Sequence, residues 1–302
     1  MLRARRALRV MRRFCSHSPA THATKAGTWL AGIALACTIG ADARAESLPL
    51  WEAGFGLSAI NFPDYRGSDE RSTFVLPIPY LVYRGEFFKA DRGSLRGLFI
   101  DSERVKLDVS VNASIPVESS DNRARQGMPD LDPTLEFGPN LEFMLLQSAD
   151  GRFQVDLRLP VRTVIATDFS SARNVGWVFQ PQINIDFRDT ALLGPQSNVG
   201  VAAGPLYGDK RHHNYFFGVP AQFATAERPA YIAEGGYAGM QAIGAVSKRF
   251  SSYWVGAFVR WDTVAGAAFE DSPLIRQNGS VAVGAAVAWI LGESRRRVQS
   301  HR

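Results

Sequence analysis

Two long alternating segments joined by a tight turn constrain this chain more than any other feature. In 132–147, Leu135, Phe137, Leu141, Phe143 and Leu145 lie on one side, and Thr134, Glu136, Asn140 and Glu142 on the other. After Ser148-Ala149-Asp150-Gly151, the residues Phe153, Val155, Leu157, Leu159 and Val161 stand opposite Gln154, Asp156, Arg158 and Arg162. A period of two is the strand period, and the Asp-Gly turn makes the pair an antiparallel hairpin. Each arm exceeds the roughly five or six residues usual in soluble sheets and reaches the ~9–11 that a tilted strand needs to cross a bilayer. Alternation alone does not choose between solvents. A soluble sandwich or lipocalin-like barrel buries its apolar face, whereas a membrane barrel turns that face to lipid.

The rest of the chain supplies the choice. No apolar run of about 18 residues exists, which argues against a helical membrane protein. The 27 glycines and 11% aromatic content suit an all-β protein with many turns. The pI of 9.4 comes from the first 45 residues, which hold eight basic side chains (Arg3, Arg5, Arg6, Arg9, Arg12, Arg13, Lys25, Arg44) and one acid, Asp42. Without them, 26 basic residues face 28 acidic ones, a net of −2, so the motive for a nucleic-acid partner disappears.

That segment reads as a secretory signal: an arginine-rich start, an apolar core at 28–40, and the exit Ala41-Asp42-Ala43-Arg44-Ala45. Cleavage after Ala45 or Ala43 fits, and Met11 is an alternative start. A mitochondrial presequence is the rival reading, and the compact apolar core argues against it. Both cysteines, Cys15 and Cys37, lie here; Ala34-Leu35-Ala36 is a poor lipobox for Cys37. The mature chain has no disulfide framework.

Twelve strands are expected, an even number as bacterial barrels require: 51–60, 73–83, 86–90, 95–100, 105–115, the two hairpin arms, 177–187, 198–206, 237–247, 253–261 and 280–290. If the first strand leaves the periplasm, the periplasmic links are 84–85, 101–104, 148–151, 188–197 and 248–252, all compact. The outer links are 61–72, 91–94, 116–131, 166–176, 207–236 and 262–279, all long but one. Short inner turns and long outer loops mark an outer-membrane barrel, and a soluble sandwich has no reason to alternate so regularly. The expectation is an all-β antiparallel transmembrane up-and-down β-barrel over 46–291, with 1–45 as signal peptide and 292–302 as a basic periplasmic tail. Six prolines (Pro77, Pro79, Pro139, Pro160, Pro181 and Pro205) cut the other way, since proline cannot donate to a ladder and a closed barrel has no edge. They are expected at bulges or strand ends.

The polar faces predict a lumen-facing charged cluster of Lys106, Asp108, Glu136, Glu142, Asp156, Arg158, Arg162, Asp186 and Arg188. Such charges can pair across strands and fill a small barrel, or line a selective pore; the glycines Gly239, Gly244, Gly256 and Gly284 on late strands leave room for the second. No catalytic, cofactor or metal constellation stands out, and no cofactor is expected. The mature histidines are His212, His213 and His301. His212-His213, in the longest outer loop beside Asp209 and Lys210, reads as solvent-exposed.

Pro63-Asp64-Tyr65-Arg66-Gly67-Ser68, then Leu76-Pro77-Ile78-Pro79-Tyr80 and Tyr83-Arg84-Gly85-Glu86-Phe87-Phe88, resemble the MltA-interacting protein (MipA)/OmpV family. So do Asp91-Arg92-Gly93, Tyr215-Phe216-Phe217-Gly218-Val219 and Asp271-Ser272-Pro273-Leu274, and the resemblance spans about 48–291. It implies an outer-membrane β-barrel of a Gram-negative bacterium, surrounded by outer-membrane lipids. It further implies a scaffold linking a lytic transglycosylase to a penicillin-binding protein, while other members resemble adhesins or osmotically regulated surface proteins. It supplies no catalytic residues. The resulting expectation is a non-enzymatic scaffold whose contact surface is the 188–197 turn and the basic tail. The alternatives are a passive channel for small polar solutes and a lipid hydrolase using His212 or His213.

Overall fold

The computed structural model describes residues 47–299 except 85–87, 92–93, 98–99, 103 and 169. The 1–45 segment with both cysteines, and Gly85 of the family-like motif, lie outside the described residues.

The described residues form sixteen strands: β1 Ser47–Pro49, β2 Trp51–Pro63, β3 Arg71–Arg84, β4 Phe88–Asp91, β5 Ser94–Gly97, β6 Ile100–Asp101, β7 Val105–Ala113, β8 Thr134–Gln147, β9 Phe153–Thr167, β10 Ala172–Phe179, β11 Gln182–Arg188, β12 Ser197–Gly208, β13 Gly236–Arg249, β14 Tyr253–Thr263, β15 Gly279–Glu293 and β16 Arg297–Gln299. One α-helix, α1 Lys210–Phe217, follows β12. Fourteen strands make one antiparallel sheet in which the last long strand, β15, pairs with the first, β2. The two ends of this ladder, β5 and β6, are consecutive in the chain, and β5 packs beside β7. Among the described residues, no helix is long and apolar enough to cross a membrane.

Side chains alternate as an outer-membrane wall requires. Phe55, Leu57, Phe137, Val201, Val259 and Val283 stand exposed on the outer face. Glu52, Asp108, Glu142, Asp156 and Asp262, from the same or neighbouring strands, are at most 3% exposed on the inner face. Outward aromatics gather near both ends of the strands: Trp51, Phe187 and Trp289 at the turn end, Trp177 and Trp261 at the loop end. Amphipathic rings at two levels are the pattern of two membrane–water interfaces.

One departure from the twelve expected strands lies at a proline. The expected 177–187 strand is broken into β10 and β11, with Gln180 and Pro181 between them. Both pieces pair with β9 and β12, and the inward phase (Val178, Gln182, Asn184) survives the break. On the adjacent strands, the β8–β9 register skips Gly138 and Pro139, Pro160 lies opposite the break, and the β12–β13 register shifts just after Pro205. Four prolines on four neighbouring strands therefore share one row of ladder defects, so the missing N–H donors are concentrated rather than scattered. Pro77 and Pro79 sit on β3, whose second neighbour β4 pairs only at Tyr83 and Arg84 among the described residues. That stretch is an edge, where proline is tolerated. The expected 95–100 strand likewise splits, into β5 and the two-residue β6.

Two connections differ from expectation. The 166–176 link is not a long loop: β9 runs to Thr167 and β10 begins at Ala172. Asp168 Oδ1 caps the short connection by accepting from the backbone N–H groups of Ser170 and Ser171. The tail after β15 is also not wholly free, because β16 pairs with β1, Ser47 opposite Gln299.

Candidate functional site

The interior divides by depth into a charged middle and an apolar outer mouth. On β9 the inward residues run Asp156, Arg158, Arg162, then Val164 and Ala166; the last two are at most 1% exposed. Near its outer end the inward face of the strand is therefore apolar. Val164 and Ala166 join Val175, Val178, Leu206, Ala238 and Val264 in a core completed by loop residues Tyr65, Leu131, Phe217, Val219, Phe269 and Leu274. The outer loops fold back into the barrel mouth and fill it.

The segments that carried the family-like pattern converge on this plug. Tyr65 donates its hydroxyl to the Leu274 carbonyl at 2.8 Å, and burial pushes its pKa above the ordinary phenolic range. Arg66 donates to the Ala238 carbonyl at 2.7 Å and the Thr263 carbonyl at 3.1 Å, and its Nε lies 3.3 Å from Asp262. Gly67 has φ of 90°, and a Cβ there would collide with Ile275, so glycine is required. Asp64 accepts from Ser72 and Asn122, tying the β7–β8 loop to the same knot. Ser272 donates to the Phe217 carbonyl at 2.7 Å, and Phe269 stacks on Phe217 with centroids 3.7 Å apart. Of the other residues in the pattern, Pro63 closes β2, while Pro77, Pro79, Tyr80, Tyr83 and Arg84 belong to β3.

His212 and His213 are buried in this plug, which overturns their reading as exposed loop residues. Helix α1 is capped by Asp209, whose carboxylate accepts from the His212 N–H at 2.9 Å, and it turns both rings inward. His213 is 0% exposed and packs edge-on against Phe269 at 4.7 Å. The Glu234 carbonyl, 2.6 Å from His213 Nδ1, can only accept, so Nδ1 carries a proton and donates to it. Desolvation lowers the His213 pKa and takes that of His212 to about 4, outweighing Glu136 and Asp209, which act to raise it. The unfolded loop would bind protons that the folded loop refuses, so stability from these groups rises with pH. It should be complete above the ordinary histidine value of 6.5 and lost as pH falls towards about 4. Protease sensitivity of the 209–235 loop measured from neutral to acid pH checks this; a flat profile, or one unchanged in His212→Phe, overturns it.

Beneath the plug the predicted charged residues separate into two groups. Arg162 Nε meets Glu136 at 2.8 Å, and its remaining nitrogens reach Ser110 and Gln180. Gln180 continues to Gln241, which donates to Asp262, itself paired with Arg260 at 2.8 Å. This hydrogen-bonded girdle crosses β8, β9, β13 and β14, and Gln180, Gln241, Arg260 and Asp262 were not singled out by the sequence. Deeper, Arg158 faces Glu142 at 3.2 Å and Asp156 and Asp186 at 3.7 Å each, while Lys106 approaches Glu142 at 4.0 Å. Asp108 accepts from Asn140 at 2.9 Å. Arg188 does not join either group; it is exposed at the turn end of β11. Near that end a second apolar cluster, Tyr80, Val82 and Ala288 with Trp254 and Ile290, narrows the lumen. Glu52, fully buried, accepts there from Tyr80 at 2.9 Å and Arg249 at 3.0 Å. Between the two constrictions lies a cavity of about 650 Å³. Among the described residues, no group of three His, Cys, Asp or Glu could hold a metal ion.

The family of MltA-interacting protein MipA matches this chain over residues 55–291. An outer-membrane channel from Pseudomonas putida F1 is similar at 10% identity, covering 82% of this chain and 98% of its own length with a TM-score of 0.43. The outer membrane protein OprG from Pseudomonas aeruginosa is similar at 10% identity, covering 79% and 94% with a TM-score of 0.20. No curated protein matches.

Proposed function

The chain belongs to the MipA family of outer-membrane proteins, and from that premise we propose that it is a non-enzymatic β-barrel that scaffolds murein-remodelling enzymes at its periplasmic face. The partners put forward are a lytic transglycosylase and a penicillin-binding protein. The observation that carries this reading is the 189–196 turn between β11 and β12. Leu192 stands 93% exposed beyond the strands, on the turn side, where an outward leucine gains nothing from the lipid core. The turn presenting it is tightly held. Asp189 and Gln196 adopt φ of 49° and 58°, the left-handed region that non-glycine residues rarely occupy. The Gln196 N–H donates to Asp189 Oδ1 at 2.7 Å, and Lys248 Nζ donates to the Leu193 carbonyl. A braced turn with an apolar tip suits protein contact, and the arginines Arg295, Arg296 and Arg297 flank the same end.

Affinity capture from detergent-solubilised envelopes tests it. Wild type is expected to recover both enzyme classes and Leu192→Asp to lose at least one. Recovery of neither by wild type sinks the proposal. The passive-channel reading rests on the charged cavity, and the apolar plug opposes it. Planar-bilayer recording separates the two, since the scaffold predicts no conductance steps at neutral pH.

A further inference from the structure

The outward face of the wall changes character at its loop end, and it does so twice in the same way. On β2 and β3 the exposed Leu57, Ala59 and Val75 give way to Asn61, Thr73 and Arg71. Asn61 donates its amide N–H to Thr73 Oγ1 at 2.8 Å, and its Oδ1 accepts from Arg71 Nε at 3.0 Å. On β9 and β10 the exposed Val161 gives way to Thr163 and Asn174. Asn174 donates to Thr163 Oγ1 at 2.7 Å and accepts at 3.2 Å from Nη1 of Arg211, which α1 brings to this face. Strands β15, β14, β13 and β12 stand between the two triads, so they occupy separate sectors of the wall.

Each triad holds a guanidinium by an amide oxygen rather than by a carboxylate. Other cations at the loop end are neutralised: Arg173 pairs with Asp132 at 2.9 Å, Lys210 with Glu234 at 2.8 Å and Arg123 with Glu70 at 2.8 Å. Arg71 and Arg211 are both exposed, and the acids beside them in the chain are engaged elsewhere. Glu70 takes Arg123 and its backbone N–H, while Asp209 accepts from the N–H groups of Trp177 and His212.

The level of the triads identifies what they meet. Outward Trp177 pairs directly with Thr163, and tryptophan rings gather where hydrocarbon gives way to headgroups. A cation just beyond that belt stands at the depth of lipid phosphates. The outer leaflet of an outer membrane is built of phosphorylated glycolipid, and a guanidinium matches phosphate geometry with two parallel hydrogen bonds. The neighbouring Thr and Asn side chains add donors and acceptors suited to sugar hydroxyls.

We propose that the two Arg–Asn–Thr triads are seats for the phosphate groups of a phosphorylated glycolipid of the outer leaflet. They lie at the opposite end of the strands from the 189–196 turn, so the proposal stands apart from the scaffolding reading.

Native mass spectrometry of the detergent-solubilised full chain, titrated with diphosphorylated lipid A, tests it. Two saturable lipid adducts are expected on wild type, and none with dephosphorylated lipid A or phosphatidylglycerol at the same concentration. Arg71→Gln and Arg211→Gln should each remove one adduct, and the double variant both. Arg211→Lys keeps the charge but loses the planar fork, and should weaken its adduct about tenfold. Arg173→Gln, at a side chain already committed to Asp132, should leave both adducts. Heat-modifiable gel mobility reports that each variant is folded. No adduct on wild type, equal retention of the dephosphorylated lipid or of phosphatidylglycerol, or undiminished binding by the folded Arg71→Gln, Arg211→Gln or Arg211→Lys variant overturns the proposal.

Discussion

Phe269→Ala is expected to unlock the outer plug while leaving the strands beneath it folded. Phe269 is fully buried, stacks on Phe217 and meets His213 edge-on, so it joins α1 to the β14–β15 loop. Truncating a buried phenylalanine costs about 3–5 kcal/mol in transfer and cavity terms. The neighbouring contacts are between loops, whereas the wall is held by its own ladder, so the loss should fall on the plug. Limited proteolysis should then cut within 209–235 while heat-modifiable mobility is kept. Wild-type protease resistance in the variant, or loss of the mobility shift, would show that plug and wall do not separate in this way.

Arg158→Met is the second large effect, and it acts on the wall. Arg158 is the cation shared by Glu142, Asp156 and Asp186, two of them at most 3% exposed. Removing one partner of a buried ion pair leaves uncompensated charge and costs about 3–5 kcal/mol. The urea midpoint of unfolding, read by tryptophan fluorescence, should fall sharply. Adding Glu142→Gln should restore part of the loss, because the two residues are coupled and the effects are not additive. A single variant as stable as wild type, or a double variant showing simple additivity, contradicts this account of the lumen.

The wall was largely legible in the sequence because its signal is local. Val105–Ala113 and the β8–β9 hairpin declare themselves by a two-residue period, and the inside-out arrangement follows from link lengths and the charge on one face. The split at Pro181 was signalled by proline chemistry, although only the aligned registers reveal that Pro139, Pro160, Pro181 and Pro205 share one row. The plug was not read. Its signal was present in the lapse of alternation at Val164–Ala166 and in the aromatic run Tyr215–Phe217, but apolar loop residues do not say what will cover them.

By itself the sequence determined which side chains face lipid and which face inward, since a strand's two faces are set by residue parity within a few positions. Only the tertiary structure decided that Tyr65, Phe217 and Leu274 meet, and that Arg158 rather than Arg188 gathers the lumen carboxylates. Burial and ion pairing depend on register and on loops that are distant in the chain, and neither exists until the sheet has curled.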